Sequence, residues 1–139
     1  MQHSIDIRVQ YHETDGQGRV HHAQYLCYLE RGRVEFLRSV GYSYRDFEEG
    51  GLMLVVSQLQ IRYLGAACFD DLLRLTTTFQ RARGVRIEHS YQLSRIDETG
   101  GIVERIVEAE TTVACIDRQG KVARLPSFLR QFGSSSQSS

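Results

Sequence analysis

From Ser4 to Tyr11 the apolar side chains fall on every second position, Ile5, Ile7, Val9 and Tyr11, against Asp6, Arg8 and Gln10. A period of two predicts a strand with one buried face. From Ala23 to Val40 the spacing becomes helical. Tyr25, Leu26, Leu29, Phe36, Leu37 and Val40 share a stripe that Glu30, Arg31, Glu35 and Arg38 mostly avoid. One long amphipathic helix is predicted there, closed by Gly41. Gly32 falls on its apolar side, where glycine costs about 1 kcal/mol against alanine. A sheet crossing closely over the helix would account for it.

After a polar segment, Ser43 to Gly51, the chain returns to alternation. Leu54 to Leu64 alternates through Val55, Ser57, Leu59, Ile61 and Tyr63, and Leu72 to Arg81 through Leu73, Leu75, Thr77 and Phe79. Val85 to Leu93 does so through Val85, Ile87, His89, Tyr91 and Leu93, and Arg83-Gly84 before it suits a hairpin turn. Asp97 to Gly101 is a strong turn signal. Ile102 to Asp117 is long enough for a helix, but Val103, Val107, Thr111, Thr112 and Val113 favour a strand. A short helix is expected near Pro126. One helix with a single apolar stripe and about five strands with one apolar face each predict an α+β domain in which an antiparallel sheet wraps the helix, the hotdog shape. The domain is expected over residues 1–132. The segment 133–139 is a Gly/Ser/Gln tail expected to stay disordered, outside the fold. Edge strands of such a sheet need protection, and pairing them between identical subunits supplies it.

At 139 residues the chain has the length of one domain. Its basic and acidic residues balance at 17 each, which argues against a nucleic-acid or polybasic membrane partner, because both need a net positive field. Sixteen of the 17 basic residues are arginine. Either genomic composition or bidentate capture of phosphate and carboxylate accounts for that bias. Cys27, Cys68 and Cys115 form no CxxC pair, so reduced thiols and a cytoplasmic setting are expected. The longest dense apolar stretch, Leu52 to Val56, is too short to span a bilayer.

Chemistry concentrates in Tyr11 to Tyr25, YHETDGQGRVHHAQY, where carboxylates, imidazoles and glycines crowd just before the helix. Glycines let backbone approach a ligand, and the N–H groups at a helix start can stabilise an oxyanion. His12, His21 and His22 with Glu13 and Asp15 also invite a metal reading. No metal is expected, because adjacent histidines should diverge and no distant ligand group is evident. Asp70 and Asp71 could act as an acid/base pair, but their position before a strand reads as a turn in which Asp70 accepts backbone N–H bonds. His89 reads as a satisfied core or groove histidine, Cys27 as packing, and His3 as a terminal surface residue.

The pattern Asp15-x-x-Gly18-x-Val20-x-His22-x-x-Tyr25 resembles the signature of the 4-hydroxybenzoyl-CoA thioesterase branch of hotdog proteins, nearest the short acyl-CoA thioesterases associated with the Tol-Pal system. Tyr28-x-Glu30-x-Gly32-Arg33, Tyr63 through Asp70-Asp71-Leu72, Arg83-Gly84 and Arg124-Leu125-Pro126 extend the likeness over most of residues 5–132. The resemblance implies hydrolysis of an acyl-CoA thioester without metal or redox cofactor, in sites shared within a homodimer or tetramer. It makes Asp15 the nucleophile or general base, and His22 the residue whose backbone N–H meets the carbonyl oxygen. Tyr11 becomes the flanking tyrosine, and Arg81, Arg83 and Arg86 the candidates for CoA phosphate. The chain departs from the family at His21 (usually aromatic), Ala66 (proline) and Glu13 (aspartate). An acyl-carrier-protein thioesterase and a non-catalytic acyl-CoA-binding subunit are the alternatives. Tyr28, Leu29, Val56, Gln58 and the 43–51 loop are the candidate acyl-pocket residues.

Overall fold

A computed structural model describes residues 1–130 and 132, so the tail at 133–139 lies outside the described residues. Five strands, β1 (Gln2–Arg8), β2 (Met53–Tyr63), β3 (Leu72–Arg83), β4 (Arg86–Ile96) and β5 (Ile102–Ile116), form one antiparallel sheet in the order β1-β3-β4-β5-β2. Strand β2 does not pair with β3, which follows it, but crosses to the far side of β5. This leaves β1 and β2 as the two edges. Helix α1 (Gln24–Ser39) lies against β1 and β3.

The expected crossing of helix and sheet occurs at Gly32. A Cβ there would meet Thr77 Oγ1 and come within 2.7 Å of Leu75 Cδ2, both on β3. The helix buries Tyr25, Tyr28, Leu29, Gly32, Phe36 and Leu37, so its inner stripe is displaced from the expected one. Leu26 faces outward, and Cys27, expected to pack, is exposed as well. On either side of the helix middle lie two apolar clusters. One is built around Ile7, Tyr28, Leu29, Leu73 and Leu93, the other around Phe36, Phe79, Ile87, Leu125 and Leu129.

Three further departures have local causes. Tyr11 is not the last residue of β1 but opens a 3-10 turn, Tyr11–Glu13, with its side chain 76% exposed. The pairing of β2 with β5 slips at Ser57, between Val56↔Val113 and Gln58↔Thr112, and at the edge of the sheet β2 leaves Leu59 and Tyr63 exposed. The polar segment after α1 contains a second helix, α2 (Tyr44–Glu49), whose N-terminal Ser43 Oγ accepts the Asp46 N–H at 3.2 Å. Residues 127–130 are helical after Pro126, as expected. Among the described residues no helix is long and apolar enough to cross a membrane.

Candidate active site

The segment between β1 and α1 folds back on itself. The Asp15 N–H donates to Arg19 O (2.7 Å), Thr14 bridges Val20, and the His21 N–H returns to Glu13 O (3.0 Å). Gly18, at φ +80°, makes the reversal possible. The Asp15 side chain caps this small loop, with Oδ1 accepting the N–H groups of Gln17 (2.8 Å) and Arg19 (3.2 Å). Oδ2 has no partner among the described residues, and Asp15 is exposed. One oxygen therefore anchors the carboxylate while the other is left open.

His22 precedes the first turn of α1, and the polar groups around it are nearly all engaged. The His21 carbonyl accepts the Gln24 N–H (2.8 Å), His21 Nδ1 accepts the Ala23 N–H (3.2 Å), and the His22 carbonyl accepts the Tyr63 hydroxyl (3.2 Å). The His22 N–H makes no hydrogen bond among the described residues. An unspent donor at the positive end of a helix is suited to developing negative charge. The His21 and His22 rings stack at 4.6 Å rather than diverging. No group of three or more potential metal ligands converges among the described residues.

Glu13, two residues before Asp15, is 9% exposed. Its carboxylate accepts the Gln10 N–H (2.8 Å) and the Tyr28 hydroxyl (2.9 Å) on Oε1, and the Gln24 amide (3.2 Å) on Oε2. It thereby ties the entry of the loop to the first turns of α1. Burial and the neighbouring Glu13 carboxylate push the Tyr28 phenol far above its ordinary value, so it stays a donor. Tyr11 packs its ring edge-on against Phe69 (5.5 Å).

The β3–β4 hairpin presents Arg83 and Arg86 opposite each other around Gly84 (φ +58°), beside an open hollow of about 630 Å³. Arg81, grouped with them from the sequence, lines the same hollow and is ion-paired there with Glu88. A smaller cavity of about 160 Å³ between α1, α2 and β2 is lined by Arg33, Tyr44, Phe47, Leu52, Val56 and Val113, among others. Val56 and the 43–51 segment thus line a cavity. Tyr28 and Leu29 are fully inside the core, and Gln58 lines a polar trough with Gln60, Gln80 and Glu110.

Two other sequence expectations are revised. Asp71 rather than Asp70 accepts a backbone N–H, that of Cys68 at 2.8 Å, while Asp70 sits at φ +71° with its carbonyl bonded by Arg8. His89 is buried against Phe36, Phe79 and Tyr91 as a core residue, yet its Nδ1 has no partner. Tyr63 and Gln24 were not singled out from sequence as parts of this site, and Glu13 was named only for the metal reading and as a departure from the family pattern.

Residues 9–133 match the family described as the thioesterase-like superfamily. An acyl-CoA thioesterase from Haemophilus influenzae is 36% identical over 115 residues, 82% of this chain and 80% of that protein. The crystal structure of a probable thioesterase from Bartonella henselae superposes with a TM-score of 0.82 at 34% identity, over 91% of this chain and all of the other. The 4-hydroxybenzoyl-CoA thioesterase of a Pseudomonas strain shares the fold at a TM-score of 0.83 and 16% identity, over 94% of this chain and 97% of that one. With its helix wrapped by a five-stranded antiparallel sheet, this chain belongs to the thioesterase-like superfamily and has the hotdog fold.

Proposed function

We propose that the chain hydrolyses acyl-CoA thioesters in sites shared between two copies of itself, with Asp15 as nucleophile or as general base for water. The observation that carries this reading is the pairing, within one loop, of an Asp15 carboxylate with a single pinned oxygen and a His22 N–H with no acceptor. A thioester carbonyl is already electrophilic, so a carboxylate and one preorganised donor suffice for chemistry. In the first mode Asp15 Oδ2 bonds to the carbonyl carbon, the C–S bond breaks, CoA leaves as thiolate, and water then hydrolyses the mixed anhydride. In the second Asp15 takes a proton from water as the water oxygen bonds to that carbon, and the tetrahedral intermediate then breaks its C–S bond and releases CoA as thiolate. Both routes put negative charge on the carbonyl oxygen, where the His22 N–H meets it. The His22 imidazole is the candidate proton donor to the departing thiolate. Neither route calls for a metal or a redox cofactor.

Strand lengths support sites made from two subunits. Asp15 lies at the end of the sheet where Leu72 starts β3, and Arg83 and Arg86 lie where β3 ends, with Arg83 11 residues beyond Leu72. That separation is roughly 35 Å at the rise of an extended strand. From sulfur to diphosphate, the pantetheine arm matches about four to five extended residues, ~15 Å, so a subunit's own arginines are out of reach. A two-fold axis through the exposed β2 edges pairs them antiparallel and brings the Tyr63 end of one beside the Met53 end of its partner. The partner's arginine hairpin, level with Val55 through Ala114, then lies about three strand spacings away, ~14 Å. Met53, Val56, Leu59 and Tyr63, all exposed on this edge, would be covered in the same step. The free thiols of Cys27, Cys68 and Cys115 suit a reducing cytoplasm.

The test is a panel of acyl-CoA esters and acylated carrier protein with thiol detection, run on wild type and Asp15→Asn. Release of CoA that drops by orders of magnitude in the variant, with CoA binding nearly intact, supports the assignment. A variant with near wild-type turnover sinks it.

A further inference from the structure

We infer that Tyr63 is a positioning residue for the oxyanion donor, holding the His22 carbonyl, on the peptide next to the one that bears the donor, from outside the catalytic loop. The inference rests on the reading of the His22 N–H as that donor. Of the polar backbone groups that flank the His22 Cα, the His21 carbonyl and the Ala23 N–H are engaged by close neighbours in sequence, Gln24 N and His21 Nδ1. The His22 carbonyl alone is held from far away, by the Tyr63 hydroxyl 41 residues on. With those three groups engaged, rotation about the bonds flanking His22 breaks at least one hydrogen bond, and the free N–H keeps one direction.

Tyr63 is itself fixed. It is the last residue of β2, paired in register with Val107, and the two N–H groups that follow, of Leu64 and Gly65, both donate to Ile106 O (2.8 and 3.2 Å). Its ring packs on Tyr25 at 5.6 Å. The Tyr25 hydroxyl accepts the Ala67 N–H (3.1 Å), and the Ala67 carbonyl accepts the Val20 N–H (2.8 Å) on the returning limb of the loop. The sheet edge therefore reaches the loop on both sides of His22, through Tyr63 directly and through Tyr25 and Ala67. An aromatic stem with a hydroxyl tip suits this task, since packing aims the ring and the oxygen makes the contact.

Tyr63→Phe keeps the ring and removes only the hydroxyl. Loss of a whole oxyanion donor costs about 10²–10³ in kcat, so misdirecting one is expected to lower kcat about tenfold. KM for acyl-CoA should stay within about twofold and the thermal midpoint near that of wild type. A kcat within twofold of wild type would overturn the assignment. So would a loss of kcat that merely follows a lowered thermal midpoint, because that marks a structural contact. Asp15→Asn run alongside separates the two levels: if it remains active, the site reading itself fails, whereas an inactive Asp15→Asn beside a fully active Tyr63→Phe removes Tyr63 alone.

Discussion

The hydroxyl of Tyr28 donates to Oε1 of Glu13 across 2.9 Å, and almost none of either residue reaches solvent. No cation lies within ion-pair distance of this carboxylate among the described residues, so hydrogen bonds alone hold the buried charge. Three donors converge on it, two of them on the same oxygen. Glu13→Gln is nearly isosteric, but it turns one terminal oxygen into a donor that must face either the Gln24 amide or the Tyr28 hydroxyl with the Gln10 N–H. A buried donor–donor conflict costs about 1–3 kcal/mol, which urea unfolding would measure. Tyr28→Phe should cost less. The double variant should lose less than the two single losses together, because its members touch. Strict additivity would show that the two residues do not interact.

Gly32 provides a test in which two effects oppose each other. Alanine is favoured over glycine inside a helix by about 1 kcal/mol. Here, though, its Cβ would press on Thr77 Oγ1 and stand 2.7 Å from Leu75 Cδ2. Forcing an extra carbon into a packed contact costs about 1–3 kcal/mol, so Gly32→Ala should destabilise despite its better propensity. Chemical denaturation showing a more stable Gly32→Ala would mean that helix and sheet do not approach this closely.

These contacts mark the limit of what the sequence reveals. Ile5, Ile7 and Val9 announced β1 because alternation is local, and Gly32 announced the helix–sheet contact because a glycine on an apolar stripe asks for a neighbour. Helix α2 is not legible although Ser43-x-x-Asp46 is a capping pattern, since six residues carry too little periodicity to read. The slip of β2 at Ser57 is not legible either, because the bulge leaves no compositional mark. In the site, Asp15 and His22 stand in one loop and were legible together. The long-range contacts that frame the loop were not, because Tyr28 and Tyr63 lie 15 and 41 residues from Glu13 and His22, the residues they bond. The pairing of Arg81 with Glu88 across the hairpin was hidden likewise, since register had to be known first.

His89 makes stability depend on acid. Burial, and secondarily the Arg33 guanidinium, depress its pKa from an ordinary value of 6.5 to about 3. The unfolded chain therefore binds this proton first. The contribution of the neutral buried ring is complete above pH 6.5 and is lost as pH falls toward 3. Between pH 6.5 and 5 the loss is about 2 kcal/mol. His89→Phe removes the titration and the unpartnered Nδ1 together, and its neighbours Phe36, Phe79 and Tyr91 are already aromatic. Its stability should vary less between pH 7 and 5 than that of wild type. Parallel pH profiles would exclude His89 as the source.

Sites shared across a two-fold axis can be tested by mixing two crippled proteins. Arg83→Glu/Arg86→Glu should raise KM for acyl-CoA and leave it unchanged for an acyl-pantetheine that lacks the nucleotide, while Asp15→Asn should be nearly inactive on both. Arg81 is left intact, because it is tied to Glu88. In a mixed dimer of the two variants, the intact Asp15 of the arginine variant meets the intact hairpin of the Asp15→Asn subunit. One of the two sites is then entirely wild type. Co-expression with distinct affinity tags, followed by isolation of the doubly tagged species, should recover a dimer with close to half the wild-type kcat and a wild-type KM for acyl-CoA. If each subunit's hairpin served its own Asp15, the mixed dimer would hold one site without its carboxylate and one without its arginines. The raised KM would then persist however the subunits were combined.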